Sequence, residues 1–195
     1  MITIADTGGS NISSIRYALK RLGEDSELIA DADKIYNSSK VIVPGVGAAS
    51  DSMQRLQKLE LEDVLLKLKQ PTLGICIGMH LLFNHSQEGD VDLLGVFDAE
   101  VKKIVSTELT VPHMGWNQVN WCKDDCLLIK DIPSGENFYF VHSFAAPVGA
   151  WTVGETKYGE NFSAVVQQDN YFAVQFHPEK SSKMGSQLLR NFVKL

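Results

Sequence analysis

The sequence predicts an α/β fold, a central and mostly parallel sheet flanked by helices, with antiparallel strands added in the C-terminal half. Three observations carry this expectation. Up to about Phe83, short apolar runs alternate with runs of helical period. From Leu93 to Phe176, short strands dominate, broken by Gly, Pro and Asp-Asp turns. The chain then closes on a last helix-period run. Strand-helix alternation implies parallel pairing, and consecutive strands with tight turns imply antiparallel pairing. The length of 195 residues fits a single domain, 1–195, that needs no disulfide or metal to fold.

In chain order, Ile2 to Asp6 reads as a first strand and Thr7-Gly8-Gly9-Ser10-Asn11 as a turn ending in good N-cap residues. Ile12, Ile15, Leu19 and Leu22 recur at helical spacing, and Gly23 ends that helix. Gly8-Gly9 joins a strand to a helix, but without the G-x-G-x-x-G pattern it is a plain turn before it is a phosphate cradle. Ser26 to Ala30 and Val41 to Val43 are strands, the second buried on both faces by its composition. It runs into Pro44-Gly45-Val46-Gly47, a glycine-rich loop where α/β folds place ligands. A helical stretch follows, carrying Met53, Leu56, Leu59, Val64, Leu65 and Leu68. Its Glu60, Glu62 and Asp63 read as a solvated face. Pro71 to Ile75 is an apolar strand, and a helix carrying Leu81, Leu82 and Phe83 is expected after it. Residues 84–90 read as a polar loop. Strands are then expected at 95–105, 118–122, 138–141, 151–156, 163–167 and 171–176, with Pro112 to Asn117 as a contact loop and a final helix at 181–194.

Bulk properties exclude several classes. A net charge of −6 opposes nucleic-acid binding, which needs a basic face. No run approaches the roughly 18 apolar residues of a membrane span. The N-terminus has neither a basic region nor a long apolar core, so the cytoplasm is the expected location. Cys76, Cys122 and Cys126 make no disulfide framework, and the last two lack the second ligand pair of a zinc site. No metal and no cofactor is called for.

The chemistry centres on Leu73-Gly74-Ile75-Cys76-Ile77-Gly78-Met79-His80. A cysteine flanked by glycines two residues away on each side has the form of the G-x-S-x-G nucleophile elbow, with sulfur in place of oxygen. A thiol nucleophile needs a base. Of the five histidines, His177 ends an apolar strand and has a carboxylate, Glu179, two residues on. That is the arrangement of a base with an orienting acid. His142 reads as a satisfied core histidine at a strand end.

Gly74 to Met79 and Phe176-His177-Pro178-Glu179-Lys180-Ser181 resemble the nucleophile and His-Glu motifs of the class I glutamine amidotransferases. Pro44 to Gly47, Pro112-His113-Met114-Gly115-Trp116-Asn117, Tyr139-Phe140-Val141-His142-Ser143 and the opening Asp6-x-Gly8-x-x-Asn11 narrow the resemblance. They are similar to motifs in the glutaminase subunits of imidazole glycerol phosphate synthases. The resemblance implies a flavodoxin-like fold, a Cys76-His177-Glu179 triad and a glutamyl thioester formed from glutamine. It implies oxyanion donors from Met79 or Ile77 and from Gly47 or Val46. It places Glu88, His80, Ser143, Phe144 and Gly45 at the substrate. It also implies a heterodimer with a (β/α)8-barrel cyclase subunit, with Trp116, Met114 and Asn11 at the interface. The chain departs from the family at His80, where glutamine is usual, and at Thr7 and Ser10, which replace Tyr and Gly. Rival readings are a Cys-His peptidase or γ-glutamyl hydrolase acting alone, and a binding subunit that keeps the fold without catalysis.

Overall fold

The computed structural model describes residues 1–8, 12–45 and 47–195. The N-terminal half alternates as expected. Strand β1 (Ile2–Ala5) leads to α1 (Ile12–Arg21), β2 (Ser26–Ile29), the short α2 (Ala32–Tyr36) and β3 (Val41–Val43). Two helices follow, α3 (Ala49–Lys58) and α4 (Glu62–Leu66), then β4 (Thr72–Ile75) and α5 (Ile77–His80). The C-terminal half contains β5 (Phe83–Ser86), β6 (Val91–Asp92), β7 (Phe97–Lys103), β8 (His113–Trp121), β9 (Glu136–His142), β10 (Phe144–Ala145), β11 (Thr152–Tyr158), β12 (Glu160–Gln168) and β13 (Tyr171–Val174). Helix α6 (Ser182–Lys194) closes the chain.

Among the described residues the main sheet runs β2-β1-β3-β4-β13-β12-β11-β8-β9. Its first five strands pair in parallel and the rest antiparallel. The parallel strands are short apolar runs: β1, β3, β4 and β13 are buried at every position. Helices on both faces demand that composition. A second, small sheet runs β10-β7-β5-β6.

Three segments differ from the sequence expectation. The helix after Cys76 is a single turn, and Phe83 begins a strand. Every residue from Thr72 to Phe83 is buried, so there is no solvent face for an amphipathic helix to present. The carbonyls of Leu81, Leu82 and Phe83 accept from the N–H groups of Leu94, Phe97 and Gly95, which stops the helical ladder. The polar stretch from Asn84 therefore starts as strand β5, with His85 opposite Glu100 of β7 and Asp92 of β6. Pro112 to Asn117 is not a contact loop beyond its first residue. From His113 it is strand, paired residue for residue with β9 from His113↔His142 to Val119↔Glu136. Long-range pairing outweighs the weak strand propensity of Gly115 and Asn117. The single helical stretch expected at 53–68 is two helices, broken at Leu59, Glu60 and Leu61, with Glu60 at φ 56°.

Candidate active site

The parallel register brings the nucleophile and base together. Strands β4 and β13 are neighbours, with Ile75 opposite Val174. Cys76 follows the first by one residue, and its N–H donates to Val174 O at 2.8 Å. His177 follows the second by three residues. Both therefore leave the carboxyl edge of the sheet side by side, where α/β folds build their sites.

The elbow is strained and tightly packed. Cys76 sits at φ 55°, ψ −110°, outside the regions an L residue prefers, at a cost of about 1–3 kcal/mol. A Cβ on Gly74 would lie 2.6 Å from Gly78 O, and one on Gly78 would overlap Val43 O. The two flanking glycines thus let the turn close on itself and on β3.

His177 Nδ1 and Glu179 Oε1 are 2.9 Å apart, with both side chains almost fully buried. Ser181 Oγ donates to His177 O at 2.7 Å and accepts from Tyr139 N–H at 2.9 Å. That fixes the histidine backbone against β9. Below it, Phe176 stacks on Phe138 with centroids 4.1 Å apart. Burial works against a charge on His177, but hydrogen bonds to Cys76 and Glu179 and the negative charge of both outweigh it. The imidazolium is held up to about 10. A ring with that proton affinity, touching Cys76, is the acceptor for the thiol proton.

Cys76, His177, Gly47, Ile77, His80, Glu88, Pro112, Val141, His142, Ser143 and Phe144 line one cavity of about 290 Å³. Met79 is excluded as an oxyanion donor, because its N–H donates to Cys76 O at 2.9 Å. Ile77, at the first helical position, has no carbonyl four residues back within its own turn, so the helical ladder does not engage its N–H. Gly47 is exposed at φ +99° on the cavity rim. Gly45 does not line the cavity. It is buried against the elbow, where a Cβ would meet Gly78 N at 2.7 Å. Val46 and Asn11 lie outside the described residues. Thr7 does more than shape its turn, since its hydroxyl donates to Pro44 O at 2.7 Å and ties the opening segment to the Pro44–Gly47 loop.

Glu88, on the lining of the same cavity, accepts from Ala49 N–H at 3.2 Å, and burial pushes its carboxyl up. Three further histidines are buried nearby. His142 Nδ1 donates to Phe144 O at 2.8 Å, so its Nε2 accepts from His113 Nδ1 at 2.9 Å. His113 Nε2 accepts from Asn117 at 3.3 Å. Each ring nitrogen is satisfied only while both rings are neutral. Burial lowers His113 to about 4. Burial lowers His142 to about 3 despite its bond to Phe144, with repulsion from the neighbouring histidines acting in the same direction whenever they carry a proton. His142 is the satisfied core histidine expected, and it also lines the cavity. His80, placed by resemblance at the substrate, is on the cavity wall, but its Nε2 is bonded to Gln175 Oε1 at 2.8 Å. Gln175 escaped the sequence reading. The available signal was a polar residue inside the apolar run Ala173 to Phe176. Met114 and Trp116 are 63% and 54% exposed, two residues apart on one face of β8, and neither lines the cavity. Among the described residues no cluster of His, Cys, Asp and Glu could hold a metal ion, and no helix is long and apolar enough to cross a membrane.

A buried cysteine on a strained elbow, its histidine and that histidine's carboxylate define a thiol acyl-transfer site. The chain belongs to the class-I glutamine amidotransferase family, whose model matches residues 3–195. It is similar to imidazole glycerol phosphate synthase subunit HisH from Vibrio parahaemolyticus, 46% identical over 100% of this chain and 98% of that protein. The HisH subunit of Yersinia pseudotuberculosis is 44% identical over 100% and 99% of the two chains. Among solved structures, PurLQS from Thermotoga maritima (TM-score 0.76, 16% identity, 99% of this chain and 97% of that one) shares the fold. So does the glutaminase domain of a Trypanosoma brucei CTPS (TM-score 0.61, 12% identity, 99% and 93%).

Proposed function

We propose that this chain is the glutaminase subunit of an imidazole glycerol phosphate synthase in histidine biosynthesis. It hydrolyses glutamine to glutamate and hands the ammonia to a (β/α)8-barrel cyclase subunit. The observation that carries the reading is the contact of Cys76, His177 and Glu179 at one end of the cavity. Cys76 Sγ attacks the side-chain amide carbon, and His177 takes the thiol proton. The carbonyl electron pair moves to oxygen, held by the Ile77 N–H and by the Pro44–Gly47 loop, each donor contributing roughly 3–4 kcal/mol by analogy with other acyl-transfer sites. Collapse of that intermediate breaks the C–N bond, and His177 delivers its proton to the departing nitrogen. Water then hydrolyses the glutamyl thioester, returning the sulfur. Glu179 holds the His177 ring in one tautomer.

Glu88 faces the cavity as the partner for the ammonium of glutamine, with Ser143 and Phe144 along its backbone and His80 on the wall. Free ammonia is mostly protonated in neutral water and is then no nucleophile, so a closed passage into the cyclase is part of the reaction. The exposed Met114 and Trp116 suit that interface, and the cytoplasm is the setting for a subunit of this pathway. The test mixes the chain with a candidate cyclase barrel, with and without its phosphorylated aminoimidazole-carboxamide ribonucleotide, and follows glutamate release. Glutamate release should be nearly absent without the barrel, and Cys76→Ala should lower the rate in the complex by about four orders of magnitude. Full activity of the chain alone, or an active Cys76→Ala complex, overturns the reading.

A further inference from the structure

We infer that Gln175 is a second partner of the Cys76 sulfur, its side-chain N–H aimed at Sγ and its orientation locked by a neutral His80. The inference rests on the reading of Cys76 as the nucleophile, but not on the substrate or the partner subunit.

Gln175 is fully buried, on the stretch between β13 and His177, beside the elbow. Its amide bridges two groups. Nε2 lies 4.0 Å from Cys76 Sγ, and Oε1 lies 2.8 Å from His80 Nε2. A carboxamide can be turned over, so its direction must come from its neighbours. His80 supplies that direction. It is 1% exposed, and burial lowers it to about 4, so its ring carries one proton at neutral pH. Its Nδ1 is buried without a hydrogen-bond partner. A bare buried acceptor is tolerated better than a bare buried N–H. The proton therefore sits on Nε2, which donates to Gln175 Oε1. The amide N–H₂ then has one direction left, toward the sulfur. Had the amide been reversed, its carbonyl oxygen would face Sγ and oppose a negative charge there.

The other groups facing the sulfur are the His177 imidazolium, backed by Glu179, and the Val141 carbonyl at 3.9 Å, with the neutral His142 and Glu88 elsewhere on the cavity wall. The amide N–H is thus an uncharged side-chain donor to the sulfur, distinct from the base. It favours the thiolate when the sulfur is free and again when the thioester expels it. A hydrogen bond to a charged acceptor is among the stronger ones in a protein. His80 acts through Gln175 and is a positioning residue.

The test needs neither glutamine nor partner. The full-length chain is alkylated with iodoacetamide across a pH series, and modification of Cys76 is followed by peptide mass spectrometry. Cys122, exposed just past the end of β8, is the internal control. Gln175→Met keeps the volume and removes the N–H. It should move the Cys76 midpoint upward by about one pH unit, a tenfold loss of rate below the midpoint. His80→Phe, which unlocks the amide, should move it in the same direction by less. A folded Gln175→Met protein with an unmoved midpoint overturns the inference. Nitrogen-15 NMR of the wild-type imidazoles tests it without any substitution: His80 should carry its proton on Nε2, and a proton on Nδ1 overturns it. A shifted Cys76 profile in a protein that releases no glutamate with the barrel would sink the proposed function and leave this inference standing.

Discussion

Four histidines are buried around one cavity, and they fall into two kinds. His177 is 2% exposed and held up to about 10. His80, His113 and His142 are 1%, 3% and 6% exposed and held down to about 4, 4 and 3. Burial is therefore not what separates them. The difference lies in what each ring faces. His177 faces a carboxylate and a sulfur that is negative once it gives up its proton, and both reward a positive ring. The others face an amide oxygen, a backbone carbonyl and each other, groups that are satisfied by neutral imidazoles. One wall of the site thus holds a proton for use, and the other is built so that protons stay away.

The largest effect should come from making His177 resemble the others. Glu179→Gln keeps the shape and removes the charge behind the ring. By analogy with the Asp→Asn change in serine proteases, glutamate release in the complex should fall by up to about 10⁴-fold. His177, followed by NMR, should titrate well below about 10. An unchanged titration would mean that the carboxylate does not set the charge. The reverse experiment makes a neutral histidine resemble His177. Asn117→Asp places a carboxylate beside His113 Nε2, now 3.3 Å from the amide nitrogen. The His113 titration should rise from about 4 by roughly 1–3 units.

Smaller effects should appear in stability. A histidine whose folded value lies below its unfolded value binds its proton first in the unfolded chain. Its contribution is complete above about 6.5 and is lost as pH falls toward the folded value. For His80 that window runs from 6.5 down to about 4. His80→Gln should therefore remove a penalty of roughly 1–2 kcal/mol at about pH 5, so that Tm drops some 2–8 °C less between about pH 7 and pH 5 than in the wild type. The same substitution should lower the KM for glutamine, the smallest effect, read from glutamate release in the complex. An equal acid loss in both proteins would show that His80 is not one of the groups resisting protonation. For His177 the sign reverses: its contribution is present below 6.5 and is lost as pH rises through about 10.

The carboxyl-edge chemistry was legible in the sequence because it is local. Gly74, Cys76 and Gly78 sit within five residues, and His177 and Glu179 within three. The parallel core was legible for the same reason, as short apolar runs between helical ones. What escaped depends on partners far along the chain. The one-turn α5 ends because residues 94–97 take the carbonyls that a longer helix needs. Strand β8 exists because β9 pairs with it, against the weak preference of Gly115 and Asn117. Gln175 has meaning only beside His80 and Cys76, ninety-five and ninety-nine residues away in sequence. Resemblance named Glu88, Ser143 and Phe144, which line the cavity, and Gly45, which packs against the elbow.

The left-handed backbone at Cys76 has an evolutionary consequence. Glycine would occupy that conformation without strain, so the fold by itself favours replacing the nucleophile, by about the 1–3 kcal/mol held there. Selection for acyl transfer has to oppose that bias in every generation. A descendant released from catalysis, kept only for its shape, would be expected to drift to glycine at position 76 and melt at a higher temperature than its ancestor.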